Sequence, residues 1–355
     1  MSSYYSPKEF VSSIGAESTV GTAATGSALK AIESDSLGTI TYGDIKTTEK
    51  RGNSGTGRLL NSSDIQSHDE GAVHEFSASG ILTTDLANIL FPAALGVAKT
   101  TGGVKTITIP TAFNPDAYAH GAGSSGAHQS ITCGIHGATS LNANNDLFLS
   151  GCVVDSLTVS ADANEMGGRF NFDMTAKSRT AASTTFSNQV PSDFTDNYLY
   201  LSDCNEISKL DNNDTIFDSF SLTIENPVSF QGNKAAGGDK GLPEKYLRAV
   251  PALKITGNVV VKYDGNTDGL IAKSKALTEI GGNSSSLIAL SSDETGKGNV
   301  AFDQTTSAGF GFNLPNGIIT EVTRDESDYM RLNIAFELVD RGNGTSGFFQ
   351  MLLNS

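Results

Sequence analysis

The sequence predicts a mainly β protein built as two tandem units, each with one short helix, and three observations lead there. First, a hairpin pattern occurs twice. Cys152-Val153-Val154-Asp155-Ser156-Leu157-Thr158-Val159 alternates apolar and polar residues, turns through residues 162–168 and returns as Arg169-Phe170-Asn171-Phe172-Asp173-Met174-Thr175-Ala176; late in the chain Gly317-Ile318-Ile319-Thr320-Glu321-Val322-Thr323 turns at residues 325–328 and returns through 330–339. Second, Phe76-Ser77-Ala78-Ser79-Gly80-Ile81-Leu82 echoes Leu253-Lys254-Ile255-Thr256-Gly257-Asn258-Val259, each followed by a helix candidate, so that Gly80 aligns with Gly257 and Val153 with Ile318. Third, only 18% of residues are charged and 38% are hydrophobic, with 38 glycines and abundant Ser, Thr and Asn, a composition of strands, turns and long polar loops. A length of 355 residues allows about two domains.

Taken in order, residues 1–36 hold too few apolar anchors for a core of their own and read as an extended arm lying on its own domain or a neighbour. The first unit spans 37–180. Strands are expected within 38–48, where Ile40, Tyr42 and Ile45 mark one face, and a glycine-rich projecting loop follows through residue 71. After the strand around Gly80, residues 84–95 form a helix with Leu86, Ile89, Leu90 and Ala93 on one face, packed over a sheet. Strands around 106–110, 130–135 and 146–149 lead into the hairpin, interrupted by a polar insert at 114–127. Residues 181–210 are a connector, its start rich in Ser, Thr and Ala. The second unit, 211–355, repeats the plan: strands at 220–230 with a turn at Asn226-Pro227, a projection over 231–248, a helix over 268–280 using Leu270, Ile271, Leu277 and Ile280, and the closing hairpin.

Chemistry is sparse. A net charge of −15 argues against binding nucleic acid by neutralising phosphates. Three cysteines, Cys133, Cys152 and Cys204, have no paired spacing and read as reduced and buried. Gly121-Ala122-Gly123-Ser124-Ser125-Gly126 has the letters of a dinucleotide-binding turn, yet no strand enters it and no amphipathic helix leaves it. Asp264-Gly265-Asn266-Thr267-Asp268-Gly269 opens like a calcium loop, but Lys275 stands where a bidentate Glu is needed, so it reads as a turn or helix cap. His68, His74, His120, His128 and His136 lack zinc spacing and read as surface or turn residues; acidic pairs such as Asp69/Glu70 and Asp325/Glu326 fall at loops and hairpin tips. No catalytic, cofactor or metal site is expected, and the protein is not read as an enzyme. The N-terminus has neither region of a secretory signal, so synthesis in a cytoplasm is expected. The longest apolar stretch, 89–98, contains Pro92 and Gly96 and is far short of the roughly 20 residues of a membrane helix, so no membrane insertion is expected.

The Glu17-Ser18-Thr19-Val20-Gly21-Thr22 run, the strand pair, the long glycine-rich loop, Gly80 in a strand entering a short helix and the closing hairpin together resemble the major tail tube proteins of long-tailed bacteriophages in their two-domain form. The resemblance is one of element order across the whole chain. It implies tandem β-sandwich or half-barrel domains whose strands join an intersubunit β-barrel. It further implies a homotrimeric ring with pseudo-sixfold symmetry, a homohexamer being the arrangement of a single-domain member. Stacked rings would form the tail tube, a conduit through which DNA passes without specific binding. Tape measure, tail terminator and distal tail proteins become expected partners, and the virion tail, made in the host cytoplasm, the expected location. Asp155, Asp173, Glu321 and Glu337 are then the lumen-lining candidates. Arg51, Arg58, Leu59, Leu60, Lys234, Asp239, Lys240 and Tyr246, on the two projections, are the inter-ring candidates. A distal tail ring or baseplate hub protein fits nearly as well. A carbohydrate-binding β-module remains the alternative from another class, although 8% aromatics and no Trp leave it few stacking platforms.

Overall fold

A computed structural model describes residues 6–18, 21–43, 46–49, 65–68, 73–95, 106–108, 130–137, 147–178, 180–181, 198–229, 248–249, 253–275, 279–281, 287–292, 310–314, 316–326, 329–339 and 349–353. Strands dominate because β-branched, hydroxyl and aromatic residues alternate with polar ones along most described segments. The first half of the chain runs β1 (Phe10–Ala16), β2 (Leu29–Ala31), β3 (Thr39–Thr41), β4 (Lys46–Glu49), β5 (Ile65–His68), β6 (His74–Ile81), α1 (Thr84–Leu95), β7 (Thr106–Thr108), β8 (Ile131–Gly137), β9 (Leu147–Asp162), β10 (Asn171–Ser178) and β11 (Thr180–Ala181). The second runs β12 (Ile207–Leu210), β13 (Asn213–Asp214), β14 (Phe217–Glu225), β15 (Val228–Ser229), β16 (Arg248–Ala249), β17 (Lys254–Lys262), α2 (Leu270–Lys275), β18 (Glu279–Gly281), β19 (Ile288–Ser291), β20 (Phe310–Leu314), β21 (Asn316–Asp325), β22 (Arg331–Leu338) and β23 (Gln350–Leu353).

The pairing of strands repeats. One large antiparallel sheet has the order β3-β6-β10-β9-β14-β17-β22-β21-β18. Its first eight strands are two copies of one four-strand run, β3-β6-β10-β9 and β14-β17-β22-β21, laid head to tail with β9 against β14. Outside this sheet the pattern recurs again. β2-β1-β8 joins the early part of β9, which also carries β11; β13-β12-β19-β20-β23 follows the same order, with β7 from the first half added beside β23. Two short ladders, β4-β5 and β15-β16, root the segments between β3 and β6 and between β14 and β17.

Matching β-bulges fix how the halves correspond. In β9 the extra residue is Asp155, between the pairs Ser156↔Thr175 and Val154↔Ala176; in β21 it is Thr320, between Glu321↔Ala335 and Ile319↔Phe336. Following the next pairs outward, Ala176 faces Phe76 and Phe336 faces Gly257. Phe76, not Gly80, is therefore the counterpart of Gly257. The two glycines serve different close approaches: a Cβ on Gly80 would come within 2.6 Å of the Glu33 carbonyl oxygen, whereas at Gly257 it would overlap the Phe336 ring.

Alternation sends one face of the large sheet inward. Leu157 and Val159 of β9, Leu222 and Ile224 of β14, Val259 and Val261 of β17, and Leu332 and Ile334 of β22 are all buried. Each such side chain stabilises the fold by about 1.5–3 kcal/mol. The helix α1 starts where the Thr83 hydroxyl accepts the Leu86 N–H, 3.3 Å away. It is buried on nearly every side, from Leu86 to Leu95, a deeper position than the one-faced packing expected from sequence. Phe91 of α1 meets Phe312 of β20 at 5.7 Å between ring centroids, Phe312 stacks on Phe220 of β14 at 5.2 Å, and Phe170 from the β9–β10 turn meets Phe310 at 5.1 Å. This cluster knits helix, both sheets and both halves into one core.

Four expectations change. Residues 10–16 and 29–31, placed in an arm, are β1 and β2, and the expected connector contains β12. The second helix ends at Lys275, and Glu279–Gly281 form a strand instead, because β-branched Ile280 and the glycines after it favour extended backbone and the β21 edge takes the segment. His136 is buried in β8, hydrogen-bonded to Ser13 and set edge-on against Phe148 at 4.5 Å.

Candidate functional site

Among the described residues, the opposite face of the large sheet carries no layer of apolar side chains. Burying the residues just named turns their neighbours outward, and the cross-strand rows there are polar. One row runs Ser79, Asp173, Thr158, Thr223, Thr256, Glu337; the next runs Asn171, Ser160, Ser221, Asn258, Ala335, Glu321. Three of the four lumen-lining candidates, Asp173, Glu321 and Glu337, thus share one face, and none of them has an ion pair among the described residues. Asp155 differs in kind. Its carboxylate holds the Lys177 ammonium at 2.8 Å and accepts the Val228 N–H at 3.2 Å, while its carbonyl accepts the Asn226 N–H at 2.8 Å. The bulge therefore fastens the exit of β14 to β9, a role that the sequence pattern did not disclose. The eight inter-ring candidates lie outside the described residues, as does the 121–126 glycine run.

The two ends of the strands are unlike. At one end stand the β9–β10 and β21–β22 turns, where Met166 is 75% exposed, Tyr329 74% and Met330 45%, with Ile216 nearby. A groove of about 380 Å³ lies there between Ile216, Lys262, Tyr263, Tyr329 and Met330, braced by an ion pair from the Arg331 Nε to Asp218 at 2.6 Å. The short ladders β4-β5 and β15-β16 leave the sheet at the other end.

The large sheet has one internal seam and two outer edges. Inside the chain, β9 and β14 join through apolar pairs on the buried face, Leu157↔Ile224 and Val159↔Leu222, and through hydroxyl pairs on the polar face, where the Thr158 and Thr223 Oγ1 atoms are 3.0 Å apart. At the outer ends, among the described residues, β18 covers only Asn316, Gly317 and Ile318 of β21, and β3 is bonded to β6 alone. Residues 321 and 323–325, together with Thr39, Thr41 and Tyr42, are exposed.

Several polar groups among the described residues serve the scaffold. Glu17 is buried at the end of β1, its carboxylate accepting from the Ser130 and Thr132 hydroxyls at 2.7 and 2.8 Å and from the Gly151 and Gly21 N–H groups at 2.8 Å each. Burial, with Asp203 adding to it, pushes the Cys204 thiol up to about 12, and burial beside Cys152 raises Cys133 well above its ordinary value; neither is a ready nucleophile. The 264–269 segment is an Asx turn ahead of α2, the Asn266 N–H donating to the Asp264 carboxylate at 2.9 Å. Among the described residues no group of three or more His, Cys, Asp or Glu could hold a metal, and no helix is long and apolar enough to cross a membrane.

A mainly β chain with one polar sheet face, two sheet edges open among the described residues and ends of different character has the features of an architectural protein. The phage tail tube protein family matches residues 11–337, and the chain belongs to that family. It is accordingly a structural protein of the phage virion tail. No curated protein matches the sequence.

Proposed function

We propose that this protein polymerises into stacked rings that form the tail tube, the conduit for DNA into the host. The observation that carries the reading is the head-to-tail seam: one chain already joins two like four-strand runs edge to edge and leaves an open edge at each end. Such a heterologous joint closes into a ring when its rotation divides a full turn. Closure also removes edges that would otherwise template aggregation. On this reading three chains supply six equivalent runs in a homotrimeric ring, and the division into two domains follows the repeat, with each domain beginning at β1 or β12.

The polar face would then line the channel, with Asp173, Glu321 and Glu337 among its groups, while Asp155 holds the bulge and the exit of β14 in place. Carboxylates and small hydroxyls repel or ignore phosphates, so DNA meets a wall without adhesive sites. The apolar turn end would meet the next ring, with the projections carrying Arg51, Arg58, Leu59, Leu60, Lys234, Asp239, Lys240 and Tyr246 reaching from the opposite end. Tape measure, terminator and distal tail proteins would contact the lumen and the tube ends. Electron microscopy of the purified protein across concentration and salt tests the reading. Hollow tubes of uniform width support it; single rings that never stack favour a distal tail ring; a persistent monomer that also fails to assemble in the presence of the other tail components overturns it.

A further inference from the structure

The internal seam carries more than a general likeness, because the repeat tells which residues stand at the same places on the outer edges. The bulges align Asp155 with Thr320, which places Thr158 at the position of Thr323 and Leu157 at that of Val322. On the other side, β6 with β3 matches β17 with β14. Phe76 corresponds to Gly257, Phe76 faces Ile40 and Gly257 faces Leu222, so Ile40 corresponds to Leu222 and Thr41 to Thr223. Resting on the ring proposed above, we infer that β21 of one subunit pairs antiparallel with β3 of the next in the register of the internal seam, Thr41 facing Thr323.

Four features of the edges agree with that register. Thr41 and Thr323 would repeat the hydroxyl pair that Thr158 and Thr223 make at 3.0 Å. Tyr42, 47% exposed and beside His74 at 5.5 Å, would lie opposite Val322, as Ile224 lies opposite Leu157 in the core-facing row. The placement of β18 also fits: it occupies Asn316–Ile318 and ends before the stretch that the register requires to be free. Ile40 would face Arg324, whose guanidinium is held by Glu326, leaving its aliphatic stem to cover the isoleucine. A slip of one residue would put Tyr42 opposite a polar neighbour and turn the rows out of phase with the rest of the sheet.

The test uses two full-length variants, Thr41→Cys and Thr323→Cys, mixed, assembled and oxidised. The native cysteines are all buried and stay out of the reaction. The expected product is a covalent pair of one chain of each kind, absent when either variant is oxidised alone. Mixing Thr39→Cys with Thr323→Cys, two residues out of register, should give little. A Thr158→Cys/Thr223→Cys chain gives an intramolecular bridge as the internal standard. Tubes visible by microscopy in which the 39/323 pair links and the 41/323 pair does not would overturn the register while leaving the tube reading standing; absence of any assembly removes both. Hydrogen exchange on the unmodified protein gives an independent measurement. Amides in residues 39–43 and 321–325 should exchange at least about tenfold more slowly in the assembly than in the free chain, with 316–318 unchanged. Equal rates in both states would sink the joint.

Discussion

Thr158 and Thr223 meet hydroxyl to hydroxyl, 3.0 Å apart, on the polar face of the seam where the two halves of the sheet join. Hydrogen-bonded threonine pairs across strands are worth roughly 0.2–1 kcal/mol. Thr158→Val should lower the urea stability by about that amount, and the Thr158→Val/Thr223→Val chain should lose less than twice as much, since the second change removes an already orphaned hydroxyl. Additive losses in a double-mutant cycle would show that the pair does not interact.

Glu17 predicts a larger effect. Its replacement by Ala strips four donors of their acceptor inside the protein, so the loss should be about 2–4 kcal/mol, read from urea unfolding. Glu17→Gln keeps one acceptor oxygen and should fall between. A wild-type midpoint in Glu17→Ala would mean that β1 is not tied down through this carboxylate.

The buried thiols give a pH dependence with a definite sign. Cys204 is raised in the folded protein from an ordinary 9.0 to about 12, and Cys133 is raised as well. Below pH 9 both states keep the proton and nothing is lost. Above it the unfolded chain ionises first, so their contribution falls as pH climbs towards 12. The decline in unfolding midpoint between pH 9 and 11 should be shallower in Cys204→Ala than in wild type, and a thiol reagent at pH 8 should label Cys204 only on unfolding. Rapid labelling of the folded chain would contradict the burial argument.

Reversing charge on the polar face separates assembly from passage. Asp173→Lys with Glu337→Lys should leave tails of normal length in electron micrographs, because both side chains sit on exposed or half-exposed polar positions. Infectivity should drop about tenfold or more, with the defect easing in higher salt as phosphate attraction is screened. Full infectivity at low ionic strength would place these residues outside the conduit.

The exposed turn end makes a separate forecast. Tyr329→Ser with Met330→Ser removes apolar surface from one end of the strands without touching the core, so rings should form while long tubes become short stacks. Unchanged tube lengths would assign the groove near Ile216 no part in stacking.

Much of this architecture is legible from residues. α1 follows from the spacing of Leu86, Ile89, Leu90 and Ala93, and both long hairpins follow from alternation. What failed did so for physical reasons. The strand β1 was hidden because Ile14 is its one fully buried large apolar side chain, and the groups buried around it are polar ones satisfied by hydrogen bonds: Ser13 with His136, Ser12 with the Gly38 N–H at 2.8 Å, and Glu17 just after. Such a segment has the composition of an arm. Ile280 reads equally well on a helix face or in a strand, and only the waiting edge of β21 decides. Gly80 and Gly257 attracted a match because glycine is conspicuous, yet each accommodates a different neighbour. On the polar face, Asp173, Glu321 and Glu337 could be grouped by alternation alone, whereas the structural duties of Asp155 depend on Asn226 and Val228, far away in the chain.

The unlikeness of the strand ends, methionine and tyrosine turns at one and rooted ladders at the other, gives any stack of these subunits an arrow. Every layer would present a different chemistry upward and downward, so growth at the two termini would proceed by different encounters. One terminus could then accept a starter complex and the other a stopper, without either recognising anything beyond the last layer laid.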